Sequence, residues 1–434
     1  MSPNRSPTSR INQEIHQFTT KTLTTKKGEQ VVRKTMYALF TVCLLLLSAS
    51  VSQAQTYQII NTENSSVGDN LTKTVTTVQF GDNPLNRFLM TRVVKDIPAH
   101  ALKGAILLLP PLGSGFQNYE VSEDGDYENS FVAYFASRNF DVWGYSQRVQ
   151  GLAAGSCESG VVNCAPMANW GLQTIVDDVA FIRQQIGLVH PNCKPVVGGL
   201  SLGSIATLAT INAYPYDYAG ALLIDGTLYD EDPAVRGLNA AFTAALDAQL
   251  AAGIFYDGQG APGFKFMSHL ANTAPNAPTP LPGFPPGFTN HQAFIAAMTA
   301  PPLSPLGPRP GFYQAAGSVA EDRLFFADEA LAYANIAQFV DYTALRTVRD
   351  INAGLAGDLT FTGNLACFNK PVLVFAAGHG FGSGMTDTAN RLTNAQITLN
   401  SNAAYGHVDY VFSTNHEKEL EKPILKWLKK EVFK

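Results

Sequence analysis

Gly199-Leu200-Ser201-Leu202-Gly203 carries the spacing G-x-S-x-G. A serine on a sharp turn between a strand and a helix presents its hydroxyl to a reacting carbonyl, and small neighbours let that turn close. The flanks suit this role. Lys194-Pro195-Val196-Val197 is short, apolar and β-branched, as a buried strand should be, and Ser204 to Tyr214 is Ala-rich and helix-compatible, with Pro215 to stop it. By itself a Gly-Ser-Gly string is only a flexible turn; strand, turn and helix together make Ser201 a candidate nucleophile.

A serine hydroxyl needs a base to take its proton. The chain has 8 histidines. His407, in Ala404-Tyr405-Gly406-His407-Val408-Asp409-Tyr410, lies between the last strand-like and the last helix-like segment, where a loop can swing imidazole over the strand ends. His379 follows the preceding strand, where an acid is more often needed, and His416 reads as a solvated residue opening the last helix. The base is therefore expected at His407. A carboxylate must orient it and stabilise its charged form. Asp225 ends Leu222-Leu223-Ile224-Asp225-Gly226, and an acid there has little structural reason to exist unless paired. Asp387 is the alternative, separated from its strand by the Gly-rich run 378–384 and suited to capping a helix before Thr388. Asp225 is the preferred acid.

A tetrahedral oxyanion also requires two N–H donors. Leu202 follows the nucleophile and supplies one. The other belongs to the loop after Ala105–Leu109, where Pro110 and Pro111 cannot donate, which leaves Leu112 with Gly113 as a second candidate.

The elements that must hold these residues alternate in type. Thr74–Gln79 and Arg87–Val94 read as an antiparallel hairpin, and 105–109 and 140–145 as strands. Ser130–Arg138 reads as a helix, and Trp170–Ile186 as an amphipathic one, with Ile175, Val179, Ile182 and Ile186 at helical spacing. Further strands are expected at 219–224, 371–376 and 396–399, and a closing helix over Glu417–Lys430. Such alternation implies an α/β class with a mostly parallel sheet covered by helices on both faces. It breaks from Tyr229 to about Ala366. Residues 262–310 hold 12 of the 25 prolines, so only short helices are expected there, while 240–251 and 321–339 look helical. The expected organisation is an N-terminal extension and signal peptide over 1–54, core over 55–229, a Pro-rich, partly helical cap over 230–366 and core again over 367–434.

With 46% hydrophobic and 15% charged residues, the chain can bury a large core, and its net charge of −5 offers no footprint for nucleic acid. A basic stretch up to Lys34, an apolar run from Met36 to Leu47 and a small-residue exit read as a signal peptide cleaved near Ala54. The apolar run is too short for a comfortable span, so a secreted or periplasmic protein with no stable membrane span is expected. Export leaves Cys157, Cys164, Cys193 and Cys367, for which Cys157–Cys164 and Cys193–Cys367 are the favoured disulfides. Their spacing does not suit a metal site, and neither metal nor cofactor is expected.

The loop after AILLL, the turn at Ser201 and the GHVDY sequence at 406–410 together resemble the α/β-hydrolase superfamily, over roughly Thr74 to Lys434. The resemblance implies a nucleophile at Ser201, a base at His407 and an acid on a neighbouring strand, in the chain order Ser, acid, His. Two features depart from the common pattern: the acid follows the strand after the nucleophile, and Pro110-Pro111 stands where many members carry His-Gly. The expectation is a serine hydrolase of small-molecule or lipid-like carboxylic esters. The alternatives are a lipase or acyltransferase of the same fold, or a non-catalytic binding protein on that scaffold.

Overall fold

The computed structural model describes residues 56–191, 193–300 and 310–434. The expected extension, signal peptide and cleavage point at Ala54 lie outside them. Among the described residues, nine strands build one sheet in the order β1-β2-β3-β5-β4-β6-β7-β8-β9. They are β1 Tyr57–Ser66, β2 Leu71–Phe80, β3 Arg87–Lys95, β4 Ala105–Leu109, β5 Asp141–Ser146, β6 Val196–Leu200, β7 Gly220–Ile224, β8 Pro371–Ala377 and β9 Gln396–Asn402. The first three are antiparallel to their neighbours, and from β5 to β9 every pairing is parallel.

Ala105–Leu109 is apolar throughout because both of its faces are covered. Leu107 and Leu109 pack with helices α2 (Leu172–Val189) and α3 (Leu202–Ala213). Ile106 and Leu108 face α1 (Phe131–Ala136) and the C-terminal helix. Ile175, Val179, Ile182 and Ile186 are all buried along α2, as their spacing predicts. After β4 the chain crosses to β5 on one side and then returns to β6 on the other. Such a reversal opens a crevice at the carboxyl ends of the strands, where ligands of open α/β sheets bind.

Between β7 and β8 run helices α4 Pro233–Ala251, α5 Gly260–Thr273, α6 Asn290–Thr299, α7 Glu329–Ala337 and α8 Leu345–Leu355. Two expectations change here. Helix α5 has 14 residues despite the prolines, because Pro262 sits in its first turn, where backbone N–H groups have no intrahelical partner. The helix expected over 321–339 begins only at Glu329, where Asp328 caps it by accepting from Leu331 N–H at 2.9 Å. Past β8, α9 spans Gly382–Arg391. The final helical stretch is α10, Lys422–Trp427, flanked by wider π turns over Glu417–Glu421 and Leu428–Val432. Strand β1 was not foreseen. It is polar and exposed along an edge, so it lacks the alternation that marks a half-buried strand.

Of the two disulfides expected, Cys157–Cys164 is present with Cα atoms 5.7 Å apart. Cys193 and Cys367 are both free. They precede β6 and β8, which are separated by β7. Two strand spacings put such positions about 10 Å apart, beyond the Cα–Cα reach of a disulfide, about 7 Å.

Candidate active site

Ser201 lies between β6 and α3 with φ 58° and ψ −118°, a left-handed conformation rare for a residue with a side chain. The glycines around it answer to one atom. A Cβ on Gly199 would lie 2.0 Å from the carbonyl oxygen of Leu109, and one on Gly203 only 1.9 Å from it. The end of β4 is thus wedged between the two glycines, and the turn can form only where neither has a side chain.

The structure brings three of the expected side chains together. Ser201 Oγ is 2.8 Å from His407 Nε2, and His407 Nδ1 is 2.7 Å from Asp225 Oδ2. Asp225 is fully buried and surrounded by donors: Oδ1 accepts from Ala377 N–H at 2.9 Å and Oδ2 from Phe381 N–H at 3.1 Å. A carboxylate in such a setting accepts the Nδ1 proton of His407, which leaves Nε2 free to accept from the serine hydroxyl. Asp387, the alternative acid, is elsewhere. It sits inside α9 rather than capping it, and its Oδ2 accepts from Glu231 N–H at 2.9 Å. His379 is exposed beside Gly311, and the imidazole hydrogen-bonded to Ser201 Oγ is that of His407. His416 is half-buried rather than solvated, 3.1 Å from Glu421, whose hydrogen bond raises its pKa against the effect of burial.

Several residues that hold the histidine carried no signal in the sequence. His407 N–H donates to Phe312 O at 2.6 Å and Val408 N–H to Tyr313 O at 3.0 Å. The Phe312 ring stacks on the imidazole at 5.2 Å between centroids, and Phe381 meets it edge-on at 5.3 Å. Asp409 ties the same segments together, its Oδ2 accepting from Gly406 N–H at 2.6 Å and Ala315 N–H at 2.9 Å. Burial pushes the Asp409 carboxyl up to about 6, although both backbone donors pull the other way.

Leu202, Leu112 and Gly113, the candidate oxyanion donors, line a cavity of about 530 Å³ together with Ser201 and His407. The loop carrying Leu112 is braced by Gln147 Nε2, which donates to Ser114 O at 3.2 Å, and by Val340 N–H, which donates to Gly113 O at 2.7 Å. Much of the opposite wall comes from the segment between β7 and β8, including Phe264, Met298, Ile336 and Phe339. Among the described residues, Asp257 is the one carboxylate in the lining, and neither lysine nor arginine lines it. Asp257 Oδ1 is engaged by Gln259 N–H and Gly260 N–H, at 2.8 and 3.2 Å. Among the described residues, no group of three or more His, Cys, Asp or Glu side chains is placed to hold a metal ion.

The sequence matches no protein-family profile and no curated protein. Solved structures do match. A putative lipase from Sulfolobus solfataricus aligns over 86% of this chain and 99% of its own, at 22% identity and a TM-score of 0.60. A thermostable carboxyl esterase from Bacillus coagulans aligns over 87% and 99%, at 12% identity and a TM-score of 0.49. The likeness to the first, with the sheet order above, gives this chain the α/β-hydrolase fold.

Proposed function

We propose that the protein is a serine hydrolase of carboxylic esters that works through an acyl-enzyme. The observation that carries this reading is the unbroken relay from Ser201 Oγ through His407 to Asp225, with links of 2.8 and 2.7 Å. Ser201 Oγ attacks the ester carbonyl carbon while His407 Nε2 takes its proton. The N–H groups of Leu202 and Leu112, with Gly113 as the second candidate, receive the negative oxygen. As the tetrahedral intermediate collapses, the ester C–O bond breaks and His407 protonates the departing alcohol. A water then gives its proton to His407 and attacks the acyl carbon, and Ser201 leaves with that proton restored. Asp225, bonded to Nδ1, keeps the imidazole in this tautomer and stabilises the imidazolium.

Residues 230–366 act as a cap over the site in this reading. The apolar side chains that the described part of this segment presents to the cavity, Phe264, Met298, Ile336 and Phe339, favour esters with an apolar group. The protein is exported, with its leader removed near Ala54. The Cys157–Cys164 disulfide suits an oxidising compartment, and no helix among the described residues is long and apolar enough to cross a membrane.

The test is labelling by a fluorophosphonate probe together with hydrolysis of p-nitrophenyl esters. Ser201→Ala should abolish labelling and lower kcat/KM by at least about 10⁴-fold with the fold retained. A variant that kept its turnover would refute the assignment.

A further inference from the structure

The turn Phe116–Tyr119 contributes one group whose place in the site the relay does not explain. Tyr119 is 3% exposed, and its hydroxyl makes two hydrogen bonds to the backbone of different strands. It donates to Leu109 O at 2.7 Å and accepts from Leu200 N–H at 2.9 Å. Leu109 is the last residue of β4, immediately before the loop that carries Leu112. Leu200 is the last residue of β6, immediately before Ser201 and Leu202. The ladder between β4 and β6 ends at Leu109 and Gly199, so the hydroxyl adds one more cross-strand tie where the ladder stops. Leu109 O is also the atom that Gly199 and Gly203 leave room for.

The hydroxyl is suited to this double role. Burial pushes the phenol well above its ordinary range, so it keeps the proton it donates. The turn is anchored in its own right: Phe116 N–H donates to Ser146 Oγ at 2.9 Å, and the Phe116 ring fills the space a side chain on Gly144 would need.

We infer that Tyr119 is a positioning residue, whose hydroxyl fixes the end of β4 against the end of β6 and so sets the spacing of the two backbone donors, Leu112 and Leu202, that receive the oxyanion. This rests on Ser201 being the nucleophile. The Tyr119 ring also lines the cavity, but both hydrogen bonds of its hydroxyl go to the backbone, so loss of the hydroxyl alone should be felt where the oxyanion develops and little in ground-state binding.

Tyr119→Phe retains the ring and removes the hydroxyl. The measurements are kcat and KM on a p-nitrophenyl ester, and inhibition by an alkyl trifluoromethyl ketone, whose serine adduct places an oxyanion between the same donors. A kcat lowered about 10- to 100-fold, with KM within about threefold, is expected from misplaced donors. Affinity for the ketone should weaken by the same factor as kcat. The inference is overturned if kcat and ketone affinity both stay within about twofold of wild type, or if kcat falls while ketone affinity is unchanged. Should Tyr119→Phe not fold, Ser146→Ala loosens the same turn with the tyrosine intact. It should lower kcat and ketone affinity together by a smaller common factor, and equality with wild type overturns the inference. Failure of the underlying reading looks different: wild-type protein would then not react with a fluorophosphonate at all, which overturns both.

Discussion

Replacing Asp225 by asparagine changes one atom and the charge, and the structure dictates how the site must respond. Three donors meet this carboxylate: His407 Nδ1–H at 2.7 Å, Ala377 N–H at 2.9 Å and Phe381 N–H at 3.1 Å. The new NH₂ therefore faces a donor in either orientation. Placed toward His407, it forces the imidazole into the tautomer with its proton on Nε2, which can no longer accept from Ser201. Placed toward Ala377, it spares the tautomer but leaves two buried donors opposed, at a cost of about 1–3 kcal/mol in stability. In both cases the charge that stabilises the imidazolium is gone. The expected loss in kcat/KM is about 10³- to 10⁴-fold, or roughly 4–5.5 kcal/mol of transition-state stabilisation. Asp387→Asn, made in parallel, keeps an oxygen that can accept from Glu231 N–H and should stay within about twofold of wild type. Both variants are assayed on a p-nitrophenyl ester after circular dichroism shows them folded. Equal mild effects would remove Asp225 from the relay, and a severe loss from Asp387→Asn alone would transfer the role.

Asp409 should make stability depend on pH in the direction opposite to most carboxylates. Burial raises it from 3.8 to about 6 in the folded protein, so its contribution is whole below about pH 4 and lost as pH rises through 6, by about 3 kcal/mol in total. Melting curves from pH 4 to 7.5 should therefore show wild type losing stability relative to Asp409→Asn, and parallel curves would refute the shift. The Cys157–Cys164 disulfide closes a loop across a sequence separation of 7. Replacing both cysteines by serine should cost about 2–3 kcal/mol in urea unfolding. An unchanged midpoint would mean that the bond from Cys157 N–H to Tyr342 Oη, 3.1 Å, and its neighbours hold that loop unaided.

The parts of the molecule legible in the sequence are those where local pattern and tertiary role coincide. Runs such as 105–109 and 371–376 are apolar at every position because both faces of a parallel strand are buried. The stripe along α2 is legible for the same reason. Strand β1 was hidden because an exposed edge asks little of its side chains beyond tolerance of water. The Cys193–Cys367 pairing failed on strand order, since two cysteines before two strands are neighbours only if the strands are. Chain order alone placed β6, β7 and β8 in sequence without showing that β7 lies between the other two.

At His407 the short motif and the working geometry come apart. The motif singles out His407, but the position of its imidazole depends on contacts that are distant in sequence. Phe312 and Tyr313 accept from its loop, Phe312 covers one face of the ring, Phe381 meets the ring edge-on, and Asp409 binds Ala315 to Gly406. Residues 311–315 belong to the long segment between β7 and β8, so the segment that walls the cavity also forms part of the histidine's support. Any displacement of 311–315 removes two backbone acceptors and a stacked ring from the His407 loop at once. The geometry at Ser201 is built differently. Its strain is local and is satisfied by two glycines and one carbonyl, which is why five residues announced the serine while the support of its partner histidine left no comparable trace.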